Sequence, residues 1–308
     1  MKGTNFLLIL AVIFTSGLSA CVNTPDHMER QEELSIIVAE SFLADIVQNV
    51  AGTQATVQTL VPAGSDPHSF QATPQDLTRI ENSHLFVING GGLEEWLEPL
   101  MGDGFTTTIV VASEGIDPVI REHEGEDVHG HEEGDPHFWL DPTLVIVYVK
   151  NIQAALTLAD PEGESVYADN ATDYIDELKL LDEWIKEQIA LIPSENRILV
   201  TNHESLGYFA DRYGFTIAGA VIPSVSSGAT SSAAELSELV DTINKYKIKA
   251  IFIETGADPT LATQIARETG IAVVDDIYTH SLTPTDGNAP SYLEMMKYNT
   301  SRIVDTLK

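Results

Sequence analysis

One cysteine, Cys21, stands in 308 residues. A single thiol excludes an internal disulfide and any cysteine-based metal site, so coordination chemistry in this chain must use nitrogen and oxygen donors. Basic residues are scarce as well: 16 Lys and Arg face 47 Asp and Glu, for a formal charge of −31. Nucleic-acid binding needs a basic face, and that class is excluded. A negative field raises the local concentration of cations, but it is screened over about 8 Å at physiological salt. The acidic excess is therefore read as a solubility or high-salt adaptation, and it names no ligand. The sequence has no internal repeat and no HExxH motif of the zinc peptidases.

What is present begins with the N-terminus. Lys2, an apolar run from Phe6 to Phe14 and then Gly17-Leu18-Ser19-Ala20 before Cys21 have the layout of a secretory signal peptide over residues 1–20. The run is too short to span a bilayer as a mature helix. Leu18-Ser19-Ala20-Cys21 resembles the lipobox of bacterial lipoproteins, which implies cleavage before Cys21 and lipid on its sulfur. Residues 21–33 lack any apolar period and read as a flexible tether.

Four histidines far apart in the chain each sit in a short polar turn beside an apolar run: SDPHSF (65–70), GDPHFWLDP (134–142), TNHESLGYF (201–209) and IYTHSL (277–282). Short apolar runs bounded by turn signals are buried-strand candidates, and ligands of open α/β sheets gather at the carboxyl ends of such strands. His68, His137, His203 and His280 are thus candidates to meet around one ion. Imidazole suits zinc and its late first-row neighbours, whereas oxygen donors suit magnesium, calcium or manganese. His27 and His84 lack this context and carry no chemical role.

Strand-like runs at 34–40, 56–62, 85–88 and 107–112 alternate with helix-like stretches, and the rhythm returns at 197–201, 216–222, 249–254 and 271–276. Such alternation predicts parallel sheets covered by helices, here two α/β lobes of four strands each, over 34–160 and 193–308. Between them, over 161–192, Tyr167, Ala171, Tyr174, Leu178, Leu181, Ile185 and Ile189 form one helical stripe. Asp160 is positioned to cap this helix with Pro161 in its first turn. About 30 residues make a rod of roughly 45 Å. Ser232 and Glu235 have capping-box spacing, and Asp258-Pro259 reads as an N-cap followed by a first-turn proline. Glu254, at the end of a strand, is placed either to orient a ligand histidine or to serve as a loop acceptor.

The four histidine segments, with NGGGLEEWL (89–97), YFADRYG (208–214) and MMKYN (295–299), resemble the metal-binding lipoproteins of ABC importers, which deliver zinc or manganese to a membrane permease. The resemblance runs from about residue 34 to the C-terminus. It implies two lobes joined by one long rigid helix, a monomer that serves a permease and its ATPase, attachment to the outer face of the membrane through lipid on Cys21, and no enzyme activity. It also implies a ligand set of His68, His137, His203 and His280. Glu204 neighbours the third position, where manganese-type members often have glutamate. At the fourth position many members carry aspartate where this chain has His280, and Asp275 or Asp276 is the alternative donor. Three or four imidazoles favour Zn²⁺ over Mn²⁺, which prefers harder oxygen ligands. The stretch 121–135, with His123, His129 and His131 among acidic residues, resembles a shortened form of the metal-gathering loop of zinc-type members.

Two other classes are compatible with parts of the pattern. A zinc hydrolase would use three histidines, an open position and a glutamate such as Glu204. A fourth histidine closes that position. An adhesin or sensory lipoprotein would share the fold without the transport role, because fold does not fix function.

Overall fold

The first lobe is built on β1 (Leu34–Val38), β2 (Ala55–Thr59), β3 (Leu85–Ile88) and β4 (Thr108–Val111), in spatial order β2-β1-β3-β4. The second uses β5 (Ile198–Thr201), β6 (Thr216–Ala220), β7 (Ala250–Glu254) and β8 (Ala272–Ile277), in order β6-β5-β7-β8. All six pairings are parallel. The two sheets therefore share one topology although their sequences show no repeat. The structure, a computed structural model, describes residues 33–100, 105–120, 134–222 and 231–308, and Glu33–Lys308 form one compact unit.

Parallel strands covered on both faces read as unbroken apolar runs, and β1 shows why. Ile36 and Val38 enter a large cluster that continues through both lobes, while Ile37 enters a smaller one on the other face of the first sheet. In β7, Ala250 and Phe252 point to the shared cluster, and Ile251 and Ile253 to one confined to the second lobe. The shared cluster is sealed by α1 (Ser41–Ala51), α3 (Pro142–Ala159), α4 (Glu164–Ile189) and α8 (Tyr292–Leu307). The remaining helices, α2 (Pro74–Glu81), α5 (Gly207–Tyr213), α6 (Ala233–Tyr246) and α7 (Thr260–Thr269), cover the sheets.

Helix α4 is the connecting rod, at 26 residues about 39 Å long. Every residue of its stripe from Tyr167 to Ile189 is at most 3% exposed, so the stripe packs against both lobes. Its start differs from expectation. Pro161–Gly163 form a 3₁₀ turn, and Asp160 makes no cap. The Asp160 carboxylate instead accepts the Tyr167 hydroxyl at 2.7 Å, a partner one helical turn into the rod that competes with the free amides. Gly163 is needed there, because a Cβ would lie 2.6 Å from both Asp160 Oδ2 and the Tyr167 ring. The Ser232/Glu235 capping box forms as the spacing predicts. At α7, which begins at Thr260, Pro259 stands at the N-cap position instead of the first helical one, and Asp258 one residue earlier accepts the Thr260 amide at 2.9 Å.

Candidate metal centre

In an open parallel sheet the crevice opens where neighbouring strands send their chains in opposite directions. In the second lobe that point lies between β5 and β7. His203 lies two residues past β5, Glu254 ends β7, and His280 lies three residues past β8. From the first lobe, His68 sits in the 3₁₀ turn Pro67–Ser69, and His137 precedes the turn Phe138–Leu140 that leads into α3.

Both Asp-Pro-His segments fold alike. Asp66 Oδ1 accepts the His68 amide at 2.9 Å, and Asp135 Oδ1 accepts the His137 amide at 3.0 Å. These are Asx turns, which place a side chain two residues past the aspartate. Asp135 does more: the same oxygen lies 2.8 Å from His137 Nδ1. From behind, Asn89 Nδ2 donates to the Pro136 carbonyl at 3.0 Å. Asn89 is itself fixed by the Tyr148 hydroxyl and, through its amide, by Glu94 at 2.6 Å.

The second lobe uses one carboxylate for two rings. Glu254 Oε1 lies against His203 Nδ1, and Oε2 is 2.8 Å from His280 Nδ1. The Thr279 hydroxyl donates to the same Oε2 and lies 2.9 Å from His280 Nδ1. A carboxylate oxygen beside Nδ1 in three rings favours the tautomer with its proton there, which leaves the Nε2 lone pair free whenever the ring is neutral. His137 Nε2 is 3.3 Å from both His68 Nε2 and His203 Nε2. His280 Nε2 is buried and has no hydrogen-bond partner. One donor atom from each ring falls within 4.8 Å of all the others. A tetrahedral ion with nitrogen ligands at about 2.0–2.1 Å separates them by roughly 3.3–3.4 Å.

Ionisation follows from these contacts. Burial pushes His137 down to about 4 against the pull of Asp135, so this ring is neutral at pH 7. At His203 burial also acts downward, but the Glu254 charge outweighs it and the ring is raised. Burial acts to raise Glu254, yet His203 and His280 hold it well below the usual carboxylate range. The site is therefore an anionic platform beneath convergent imidazoles.

The alternative donors go elsewhere. Asp275 is exposed on β8, and Asp276 accepts from Tyr298 at 2.6 Å and Arg302 at 2.9 Å. Glu204 opens the 3₁₀ turn Glu204–Leu206 and does not join the convergent group. Glu254 contacts His203 and His280 and so is placed to orient both rings. His84 accepts the Ser35 amide at 2.9 Å and steadies the start of β1. Cys21, His27, His123, His129 and His131 lie outside the described residues. The spacing argument missed Asp135 as the partner of His137. The signal was available, since each Asp-Pro-His places a carboxylate two residues before the ring.

A two-lobed α/β frame around four convergent histidines defines a substrate-binding protein for a divalent metal. The chain belongs to the family described as zinc-uptake complex component A, periplasmic, whose pattern matches residues 36–306. The manganese-binding lipoprotein MntA of Halalkalibacterium halodurans is 31% identical over 308 residues, covering 100% of this chain and 99% of that one. The Mn-bound periplasmic metal-binding protein of Candidatus Liberibacter asiaticus superposes with a TM-score of 0.78 at 31% identity, over 89% of this chain and 100% of that one. The periplasmic zinc-binding protein TroA of Treponema pallidum gives 0.79 at 26% identity, over 89% and 99%. These relatives are binding components and not enzymes, and the chain shares that class with them, outside the cytoplasm as a membrane-anchored lipoprotein.

Proposed function

We propose that this protein captures zinc through His68, His137, His203 and His280 and hands it to an ABC permease driven by its ATPase. The observation that carries this reading is the contact of three rings with carboxylates, in which Nδ1 atoms face Asp135 and Glu254 while one donor atom of each of the four rings falls within 4.8 Å of the others. Nitrogens at that spacing, once neutral, suit a tetrahedral cation between them. The four donors include no carboxylate, which suits zinc over manganese. Lipid on Cys21 holds the protein at the membrane, and His123, His129 and His131 gather metal.

Manganese is the second reading, favoured by the names of relatives such as MntA. Metal analysis of protein purified without added metal, followed by competition between zinc and manganese, separates the two. Zinc is expected to displace manganese from the wild type, His280→Asp to narrow that preference, and His280→Ala to weaken zinc far more than Asp276→Ala. Stronger loss of zinc in Asp276→Ala than in His280→Ala would replace the fourth ligand. Failure of zinc to compete would replace the cargo.

A further inference from the structure

Trp139 lies two residues beyond His137 and is fully buried. Its ring is stacked on Phe42 of α1 at 4.3 Å, so the side chain is anchored in the first lobe. Its indole N–H and its backbone carbonyl both meet residues from the C-terminal part of the chain. The indole N–H donates to the Thr279 carbonyl at 2.7 Å, and the Trp139 carbonyl accepts the Tyr292 hydroxyl at 2.6 Å. The ring also touches imidazoles from each side, with centroids 5.2 Å from His137 and 5.6 Å from His280. An indole N–H has no other acceptor to choose once buried, and a buried donor without a partner is costly. The Thr279 carbonyl it holds is in the residue just before His280, so the backbone that carries one ligand is pinned by a side chain packed beside another.

We infer that Trp139 is a positioning residue which ties the ligand turns of the two lobes to each other and so slows release of the bound ion. This rests on the four-histidine reading of the site. For the metal to leave, a ligand turn must move, and movement of the His280 turn away from the first lobe breaks the Trp139–Thr279 bond. The tie acts through His280, and that dependence separates positioning from general support of the fold.

The test is zinc release from the full chain into excess chelator, followed by stopped flow, for wild type, Trp139→Phe, His280→Ala and the double variant. Phenylalanine retains an aromatic ring while removing the N–H and part of the indole's buried volume, and the His280→Ala background separates loss of the tie from loss of packing. Wild type must first bind zinc and His280→Ala must release it faster, since otherwise the four-histidine reading itself fails. Given that, Trp139→Phe is expected to release zinc at least about 10-fold faster, the scale of lost support behind a ligand. The same substitution should add little in the His280→Ala background. A release rate unchanged by Trp139→Phe, or an equal acceleration with and without His280, overturns the inference. Should Trp139→Phe not fold, Trp96→Phe/Trp184→Phe leaves Trp139 as the one indole of the three in the chain. Its emission should then change on zinc saturation and fail to change when His280→Ala is added, and an unresponsive emission overturns the inference equally.

Discussion

Both lobes bury glutamate at the carboxyl ends of their two central strands and use it in opposite ways. In the second lobe, Glu254 at the β5/β7 crevice faces two imidazoles and is held well below the carboxylate range. In the first, the β1/β3 crevice holds Glu40, one residue before α1, and Glu94, which accepts the amides of Asn89 at 2.6 Å and Gly90 at 3.0 Å. Here burial, together with the facing carboxyl, raises Glu40 far above its ordinary range, and burial lifts Glu94 to about 7. Neither oxygen of Glu40 has a donor from another residue, so its contact with Glu94 is a hydrogen bond only while one of them keeps a proton. Burial is common to both sites, and the neighbour decides the charge. Imidazole neighbours hold the carboxylate ionised; a carboxyl neighbour holds a proton in the pair, which braces the Asn89 turn.

The four histidines inherit this difference. Each first-lobe histidine rests on its own aspartate within three residues of chain, whereas both second-lobe histidines share one carboxylate from a third strand. Removing Glu254 should therefore have the largest effect of any change outside the ligands. Loss of one supporting carboxylate costs about 10–100-fold in metal affinity, and Glu254→Ala frees two rings at once, so roughly 10²–10⁴-fold is expected by calorimetric or competitive titration. Glu254→Gln should fall between, because an amide oxygen can accept from one Nδ1–H while its NH₂ opposes the other. A loss confined to about 10-fold in Glu254→Ala would mean that the two rings are held independently.

The sequence made the N-terminal half of this comparison readable and concealed the rest. Asp-Pro-His turns are local, with the aspartate, the proline and the ring in three consecutive residues, so their geometry follows from Asx-turn chemistry alone. The stripe from Tyr167 to Ile189 and the eight apolar runs were legible for the same reason, as periodicities within one element. Glu254 lies 51 residues after His203 and 26 before His280, and only the strand order β5-β7-β8 brings the three together. Its double contact depends on that pairing, which no local pattern states. The Glu40–Glu94 pair escaped notice similarly. The start of α4 was misjudged because Asp160 found the Tyr167 hydroxyl, a choice that spacing does not record.

The two Asp-Pro-His turns offer a smaller and sharper contrast. Asp135 holds both the amide and the ring of His137, so Asp135→Ala should lower zinc affinity about 10–100-fold. Asp66→Ala removes the cap on the His68 amide and is expected to cost about 0.5–2 kcal/mol of stability, as for other lost caps, with the lesser effect on affinity. Paired titrations and thermal melts of the two variants test this. Equal affinity losses would show that the amide cap, and not the Asp135 contact with Nδ1, does the orienting.

The smallest effect concerns the first-lobe acid pair, and its sign is fixed by linkage. A carboxyl raised to about 7 in the folded chain and titrating near 4.3 when unfolded contributes stability that is full below the unfolded value and is lost as pH rises through the folded one. Glu40→Gln supplies a permanent N–H donor to Glu94 and removes the second acid, so Glu94 no longer needs a proton to be satisfied. Between pH 5 and pH 8 the metal-free wild type should then lose melting temperature relative to Glu40→Gln. Each kcal/mol removed corresponds to about 2–4 °C in a chain of this size. Histidine titrations run in the same window, with His137 acting in the opposite sense, but they are common to both proteins and cancel in the difference. A difference between the two melting temperatures that stays constant from pH 5 to pH 8 would show that Glu40 and Glu94 do not share a proton, and would remove the contrast with Glu254.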